Sequence, residues 1–473
     1  MTSLTLKPLP NSIFKAYDIR GIVDDTLTEI ACYAVGRALA VRCTELQITR
    51  CVVGRDGRLS GIRLAAALAK GLMAGGINVI DIGLCTTPVV YWATHHLDTG
   101  TGVMVTGSHN PPQYNGLKMM LNGDALYGDD IQSLYQIAQT FMVQEWFVSD
   151  TTAATVSTLN LIPAYTARIV NDTQLAMPMK IVMDCGNGAA GAVAPALIKA
   201  LGVEVIELYS EVDGTFPNHH PDPAHIENLQ DLINALKNSD ADFGIAFDGD
   251  GDRLGVVTHN GEVIFPDRQL MLFAADVLSR YPNAPIVYDV KCSRLVGDTI
   301  TKNGGQAVMW KTGHSLIKAK MKALNAPLAG EMSGHIFFKE RWYGFDDGIY
   351  AAVRLLEILA QQKQAGHSAS DVLEGLPNSR ATPEINIVCS EGEAHQLCEQ
   401  LQKTGLFEEA TAIHTIDGVR AEWVDGFGLA RASNTTPVIV LRFEADTVEA
   451  LLRIQAIFSR ELRRLKPSIL IPF

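Results

Sequence analysis

The run Lys180-Ile181-Val182-Met183-Asp184 has the character of a buried strand, and the glycine-bearing turn Cys185 to Gly191 follows it. After that turn come a helical pattern, Gly202 and a second apolar run, Val203-Glu204-Val205-Ile206. A short apolar run, a glycine turn, a helix stopped by glycine and another apolar run read as a strand-helix-strand unit. The same plan occurs earlier, from Cys51-Val52-Val53-Gly54 to Ile77-Asn78-Val79-Ile80-Asp81, with Gly75-Gly76 as the helix stop. It occurs again from Pro285-Ile286-Val287-Tyr288-Asp289 to Gln306-Ala307-Val308-Met309, stopped by Gly304-Gly305. Repetition of one unit predicts three related α/β domains in tandem.

The pattern changes beyond Gly366. A Glu- and Gln-rich helical stretch from Glu391 to Lys403 precedes strand-like Gly418 to Val424 and Pro437 to Phe443, and a last helix is expected from Thr447 to Leu465. These features predict a smaller α+β domain. Boundaries near residues 156, 259 and 371 divide the chain into 1–156, 157–259, 260–371 and 372–473.

A chain of 473 residues exceeds what one hydrophobic core usually serves, and 47% apolar with 19% charged residues fits a globular protein. A formal charge of −13 argues against a general nucleic-acid binder, which needs a basic face. An anionic substrate remains compatible if a few basic residues converge in one cleft. Met1 to Tyr17 has no continuous apolar stretch, so no secretory signal is expected, and no run is long enough to span a bilayer. The eight cysteines form no Cys-x-x-Cys, which predicts reduced thiols in a cytoplasmic protein.

Chemistry concentrates in four segments. Asp248-Gly249-Asp250-Gly251-Asp252-Arg253 follows the strand-like run Asp242 to Phe247 and alternates carboxylates with glycines. Three like charges so close repel unless a cation sits among them, and glycines let the backbone curl until the oxygens converge. An EF-hand is excluded, because Arg253 and His259 stand where its glycine and bidentate glutamate belong. In Thr106-Gly107-Ser108-His109-Asn110-Pro111 the serine is expected on a constrained loop that exposes its side chain. It is not the nucleophile elbow Gly-x-Ser-x-Gly, since Asn110 replaces the second glycine. Gly330-Glu331-Met332-Ser333-Gly334-His335 supplies hydrogen-bonding groups for sugar hydroxyls and an imidazole for proton transfer. The segment Arg431-Ala432-Ser433-Asn434-Thr435 reads as a polar loop with donors suited to a phosphate.

Two other patterns carry less. Gly186-Asn187-Gly188-Ala189-Ala190-Gly191 matches the dinucleotide fingerprint, but the equivalent turns Gly54-Arg55-Asp56-Gly57-Arg58 and Asp289-Val290-Lys291-Cys292-Ser293 do not. A structural tight turn is therefore the preferred reading. The pairs His95-His96 and His219-His220 have no third ligand at metal spacing and are expected in loops.

Taken together, these four segments resemble the signature loops of the α-D-phosphohexomutases, in order and across essentially the whole chain. Within that family the resemblance is to the bacterial bifunctional phosphomannomutase/phosphoglucomutases. Phosphoglucosamine mutases typically carry Gln at Met332 and Gly at Asn434, and Gly107 replaces an alanine common in the bifunctional group. The resemblance implies three α/β domains and a fourth with a TATA-binding-protein-like fold, arranged around a central cleft. It implies a phosphorylated Ser108 that binds Mg²⁺ together with Asp248, Asp250 and Asp252. Lys118 and His335 are the implied proton shuttles, with Arg20 and Tyr17 nearby and Arg253 stabilising charge. Implied substrate contacts are His109, Lys291, His314, Glu331, Met332, Ser333 and Gly334, together with the loop Arg431, Ala432, Ser433, Asn434 and Thr435 for phosphate.

The implied reaction interconverts hexose 6- and 1-phosphates of mannose and glucose through a hexose 1,6-bisphosphate, which also serves as activator. A monomer acting on small sugar phosphates, away from membranes, is expected. The alternatives are a phosphoglucosamine mutase, a phosphosugar phosphatase, a noncatalytic phosphosugar binder and, from the glycine fingerprint alone, a dinucleotide-dependent oxidoreductase.

Overall fold

The computed structural model describes residues 8–142, 153–434 and 436–473, so the first seven residues and Thr435 lie outside the described residues. Contacts divide the chain into two compact units. One runs to Pro266 and includes Ser333–Gly375; the other joins Asp267–Met332 to Leu376–Phe473.

The first unit holds two mixed sheets. One orders the strands Ile19–Ile22, Tyr114–Leu121, Gly102–Val105, Arg50–Arg55, Asn78–Leu84 and Val156–Thr158, with Asp124–Ala125 paired to Tyr114–Leu121. Arg50–Arg55 lies parallel to Asn78–Leu84 on one side and to Gly102–Val105 on the other. Cys51, Val53, Val79, Val103 and Val105 of these strands are buried with helices Glu29–Glu45 and Gly61–Ala74 in one core. The second sheet runs Val263–Ile264, Leu254–Thr258, Phe243–Phe247, Lys180–Asp184, Glu204–Leu208. Its last three strands are parallel, and Phe243–Phe247 pairs antiparallel with Leu254–Thr258.

This topology explains where both chemical loops sit. Thr106 to Gln113 connects a strand of the parallel set, Gly102–Val105, to the antiparallel Tyr114–Leu121. Asp248 to Arg253 makes the equivalent connection in the second sheet, between paired Phe247 and Leu254. Each loop therefore leaves the carboxyl end of a buried strand, the edge at which α/β sheets bind ligands.

In the second unit, Pro285–Asp289 lies between parallel Gln306–Trp310 and Leu328–Gly330. The C-terminal antiparallel sheet orders Arg380–Ala381, Val438–Ala445, Gly426–Ala432, Val419–Trp423 and Ala412–His414, with Ile385–Val388 also on Val438–Ala445. Helices Glu393–Thr404 and Val448–Leu465 bury their apolar stripes on one face of it. The expected helix stops are present: Gly76, Gly202 and Gly304 all adopt positive φ just beyond a helix end, where a Cβ would be strained.

The glycine fingerprint is a tight turn filled by the chain itself. A Cβ on Gly188 would stand 3.0 Å from the Gly249 carbonyl oxygen, and one on Gly191 only 2.1 Å from that of Ser210. Two sequence expectations need correction. His95 and His96 close helix Thr87–His96 instead of lying in a loop, and their rings stack on Tyr343 and Trp92. Arg431 and Ala432 are the last residues of strand Gly426–Ala432, so the polar turn begins only at Ser433. The eight cysteines are free thiols, seven of them buried.

Candidate active site

The acidic loop builds its own geometry. The Asp248 Oδ1 accepts the amides of Asp252 and Arg253, both at 3.1 Å, which curls the backbone back on its first residue. Gly251 takes φ +75 within the curl. As a result ligand atoms of Asp248, Asp250 and Asp252 lie within 4.8 Å of one another, all buried. Lys118, carried in by Tyr114–Leu121, places Nζ 2.7 Å from Asp250 Oδ2 and 2.5 Å from Asp252 Oδ2. Thr87 Oγ1 also donates to Asp250 Oδ2, at 2.5 Å.

The charges respond to this crowding. Burial, and then Asp252 and Asp250, push the Asp248 carboxyl well above the usual range. Burial opposes ionisation of Asp252 too, yet Lys118 and His335 hold it well below that range. The Asp250 Oδ1 is buried with no hydrogen-bond partner among the described residues. Three convergent carboxylates, with oxygens on Asp250 and Asp252 unsatisfied among the described residues, suit a hard divalent cation that prefers oxygen ligands.

Ser108 is 1% exposed, which corrects the expectation of an exposed serine. The loop folds down onto the protein because Arg58 gathers its carbonyl groups. Nη2 donates to Ser108 O at 2.7 Å and Asn110 O at 2.5 Å, and Nη1 to Pro111 O at 2.7 Å and Tyr114 O at 3.0 Å. Asp56 supports the other side, accepting from Thr106 Oγ1 at 2.7 Å and from the Gly107 amide at 3.3 Å. Ser108 adopts φ +51. Its Oγ then lies 3.3 Å from Asp248 Oδ2 and 3.1 Å from His109 Nδ1. Burial, then Arg253 and Arg20, drive His109 well below its ordinary range, so its ring is neutral beside the serine.

Further cations ring this centre. Arg20 donates to Asn110 Oδ1 at 2.7 Å and pairs with Asp18 at 2.5 Å. Burial works against the charge on Arg20, but Asp18 and then Tyr17 raise it. Arg253 Nε is 3.8 Å from Asp248 Oδ2 and 3.3 Å from His335 Nε2. That same His335 nitrogen lies 3.3 Å from Asp252 Oδ1, while Nδ1 meets Ser333 Oγ at 2.9 Å. An imidazole nitrogen shared between a carboxylate and an obligate donor is equipped to gain or lose a proton. Gly334 (φ +102) adjoins Arg253 and accepts the Leu254 amide through its carbonyl, tying the histidine loop to the acidic loop.

The second unit has its own cluster. Glu331 Oε1 accepts the Gly313 amide at 2.6 Å, beside His314 at the start of helix His314–Leu324. The Met332 amide donates to Asp289 Oδ1 at 3.0 Å. Lys291 Nζ pairs with Glu384 at 2.6 Å, and Arg431 Nε with Asp417 at 2.9 Å. Ser433 Oγ accepts from Thr436, closing the turn that contains Asn434. Sequence reading missed Arg58, Asp56, Thr87, Asp289, Glu384 and Asp417. The one available signal was charge: Asp56-Gly57-Arg58 is a charged turn directly after a buried strand.

Comparison with known proteins agrees with this architecture. Four domain models of the phosphoglucomutase/phosphomannomutase family match in order: α/β/α domain I over residues 11–143, domain II over 163–261, domain III over 265–379 and the C-terminal domain over 384–461. A phosphoglucomutase of Neisseria gonorrhoeae is 55% identical over 448 residues, covering 94% of this chain and 96% of its own. The phosphomannomutase/phosphoglucomutase of Pseudomonas aeruginosa is 51% identical over 473 residues, covering 100% of both chains. The crystal structure of a phosphoglucomutase/phosphomannomutase family protein from Burkholderia thailandensis superposes with a TM-score of 0.92 at 51% identity, covering 98% of this chain and 100% of that one. Both the strand-helix repeats and the loops between them thus have full-length counterparts, and the chain belongs to the phosphoglucomutase/phosphomannomutase family.

Proposed function

We propose that this protein is a phosphohexomutase that interconverts the 6- and 1-phosphates of glucose and mannose, with Ser108 as the phosphoryl carrier. The observation that carries the reading is the approach of Ser108 Oγ to Asp248 Oδ2 at 3.3 Å, among Lys118, Arg253 and neutral His109. A buried hydroxyl flanked by a cation site and fixed positive groups suits a loose, charge-rich phosphoryl-transfer transition state.

In the first transfer the bond from Ser108 Oγ to phosphorus breaks as a free hydroxyl of the bound hexose phosphate forms its own. The product is a bound hexose 1,6-bisphosphate. After the sugar turns over, Ser108 Oγ takes back the other phosphoryl group. His335 Nε2 takes the proton of the attacking hydroxyl and Lys118 Nζ, held as an ammonium by Asp250 and Asp252, gives one to the departing Ser108 Oγ, the roles reversing in the second transfer, while Arg253 and Arg20 hold the phosphoryl oxygens. Asp248, Asp250 and Asp252, with phosphorylated Ser108, would hold Mg²⁺, whose chemistry is to neutralise charge developing on the transferred group.

Arg431, Ser433, Asn434 and Thr435, with Ala432 beside them, are assigned to the phosphate that is not reacting. Glu331 and Ser333 are assigned to the sugar hydroxyls, and Tyr17, His109, Lys291, His314, Met332 and Gly334 to further substrate contacts. Seven buried free thiols support a reducing, cytoplasmic location, and among the described residues no helix is long and apolar enough to cross a membrane. A monomer with domain limits near residues 156, 259 and 371 completes the reading.

Intact mass and peptide mapping test it, before and after incubation with glucose 1,6-bisphosphate and Mg²⁺. One adduct of about 80 Da on the Ser108 peptide is expected. Absence of an adduct on folded protein under both conditions would overturn the assignment.

A further inference from the structure

Arg58 belongs to none of the motifs that point to catalysis, yet it is the side chain from which the serine loop hangs. It is 1% exposed, donates to four carbonyls of residues 108–114, and is itself held by Asp56 Oδ2 at 3.2 Å from Nε and Asp56 Oδ1 at 2.9 Å from the Arg58 amide. Burying a guanidinium costs free energy unless its donors are satisfied, and here they are spent on the backbone of one loop. The loop in turn contains Ser108 at φ +51, a conformation that a residue with a Cβ keeps only where its surroundings over-determine it. Gly107 leaves the necessary space, because a Cβ there would stand 2.5 Å from Arg58 Cζ and Nε. The Phe216 ring closes the other side, 5.1 Å from Arg58 Cζ.

We propose that Arg58, oriented by Asp56, is a positioning residue that holds Ser108 in its left-handed conformation facing Asp248, and thereby sets the rate of phosphoryl exchange at Ser108. The proposal rests on the mutase reading above for its catalytic consequence, but not for its structural one. Lysine cannot substitute, because a single ammonium has neither the planar fork nor the reach to bind several carbonyls and a carboxylate together.

The test uses full-length protein with Mg²⁺ and glucose 1,6-bisphosphate. For Arg58→Lys, kcat on glucose 1-phosphate should fall roughly 100-fold, the scale expected for a reacting atom displaced by about 1 Å, with KM changed less than about threefold. Amide hydrogen exchange in residues 105–117 should quicken while the strands Lys180–Asp184 and Phe243–Phe247 stay protected. Arg58→Ala should recover part of its kcat when guanidinium is added at low millimolar concentration. A lysine variant with kcat within about threefold of wild type and unchanged loop exchange would overturn the proposal. So would a general fall in melting temperature with KM and kcat shifting together and no guanidinium rescue, the signature of a merely structural residue. If the wild type accepts no phosphoryl group at Ser108, the mutase reading fails, and loop exchange in Arg58→Lys still decides whether Arg58 positions the serine.

Discussion

The acidic loop and the serine loop occupy equivalent places in their sheets but are held by different means. Asp248 to Arg253 is closed by its own first carboxylate, which accepts amides four and five residues on. Thr106 to Gln113 is closed by Arg58 and Asp56, which lie 50 residues or more from the groups they bind at Ser108, Thr106 and Gly107. The first loop carries its geometry in local spacing; the second borrows it from a neighbouring strand end. The two meet where Gly249 faces the Ser108 carbonyl, so an error in either is passed to the other.

The largest effect should come from removing the carrier. Ser108→Ala should lower mutase activity by at least roughly 10⁴-fold and abolish the mass adduct, while the acidic loop, being self-closed, keeps the divalent-cation affinity of unphosphorylated wild type by calorimetry. Loss of cation affinity in that variant would break the distinction between the loops. Gly249→Ala comes next. Its Cβ would lie 2.4 Å from the Ser108 carbonyl oxygen, a backbone atom held by Arg58, so kcat should drop about 100-fold and stability by roughly 1–3 kcal/mol in denaturant titration.

Lys118→Met sharpens the electrostatic side of the comparison. Without the ammonium, Asp250 and Asp252 lose their cationic partner in a buried setting, at a cost of roughly 3–5 kcal/mol. Melting in chelator should fall, and added Mg²⁺ should raise it more than in wild type. Equal Mg²⁺ responses would show that the lysine, and not a metal, is the loop's natural counter-charge.

The smallest effect concerns the support behind the acidic loop. Gly348 opens helix Gly348–Gln364 where a Cβ would stand 2.6 Å from the Arg253 carbonyl oxygen, and Asp347 caps that helix through the Tyr350 amide. Burial pushes Asp347 up to about 7, against its bonds from Tyr350 and Tyr165. A carboxyl raised in the folded state favours folding below its unfolded pKa of about 3.9, and that contribution is lost as pH rises to about 7. Asp347→Asn keeps a capping acceptor without the proton. Its melting temperature should therefore vary less than that of wild type between about pH 4 and 7 in a thermal scan.

Much of the fold was legible because its signals are periodic and local. Lys180–Asp184, Pro285–Asp289 and the helix ending at Leu465 stand where apolar runs and glycine stops put them. The acidic triad was legible for the same reason, as its spacing contains its curl. The exposure of Ser108 was misjudged because a loop sequence does not show what lies beneath it, and Arg58 lies beneath it. Polarity favours a loop at Arg431, yet the residue lies near the end of a strand buried along its whole length, where Asp417 pairs with it.

By itself, then, the amino-acid order determined the three strand-helix repeats, the different C-terminal domain and the convergence of Asp248, Asp250 and Asp252, since each depends on contacts within a few residues. Only the tertiary structure decided which way Ser108 faces, which cation reaches the carboxylates and which acids tie down Lys291 and Arg431. Those arrangements depend on side chains brought together across tens of residues, where burial removes water and makes each charge and hydrogen bond count.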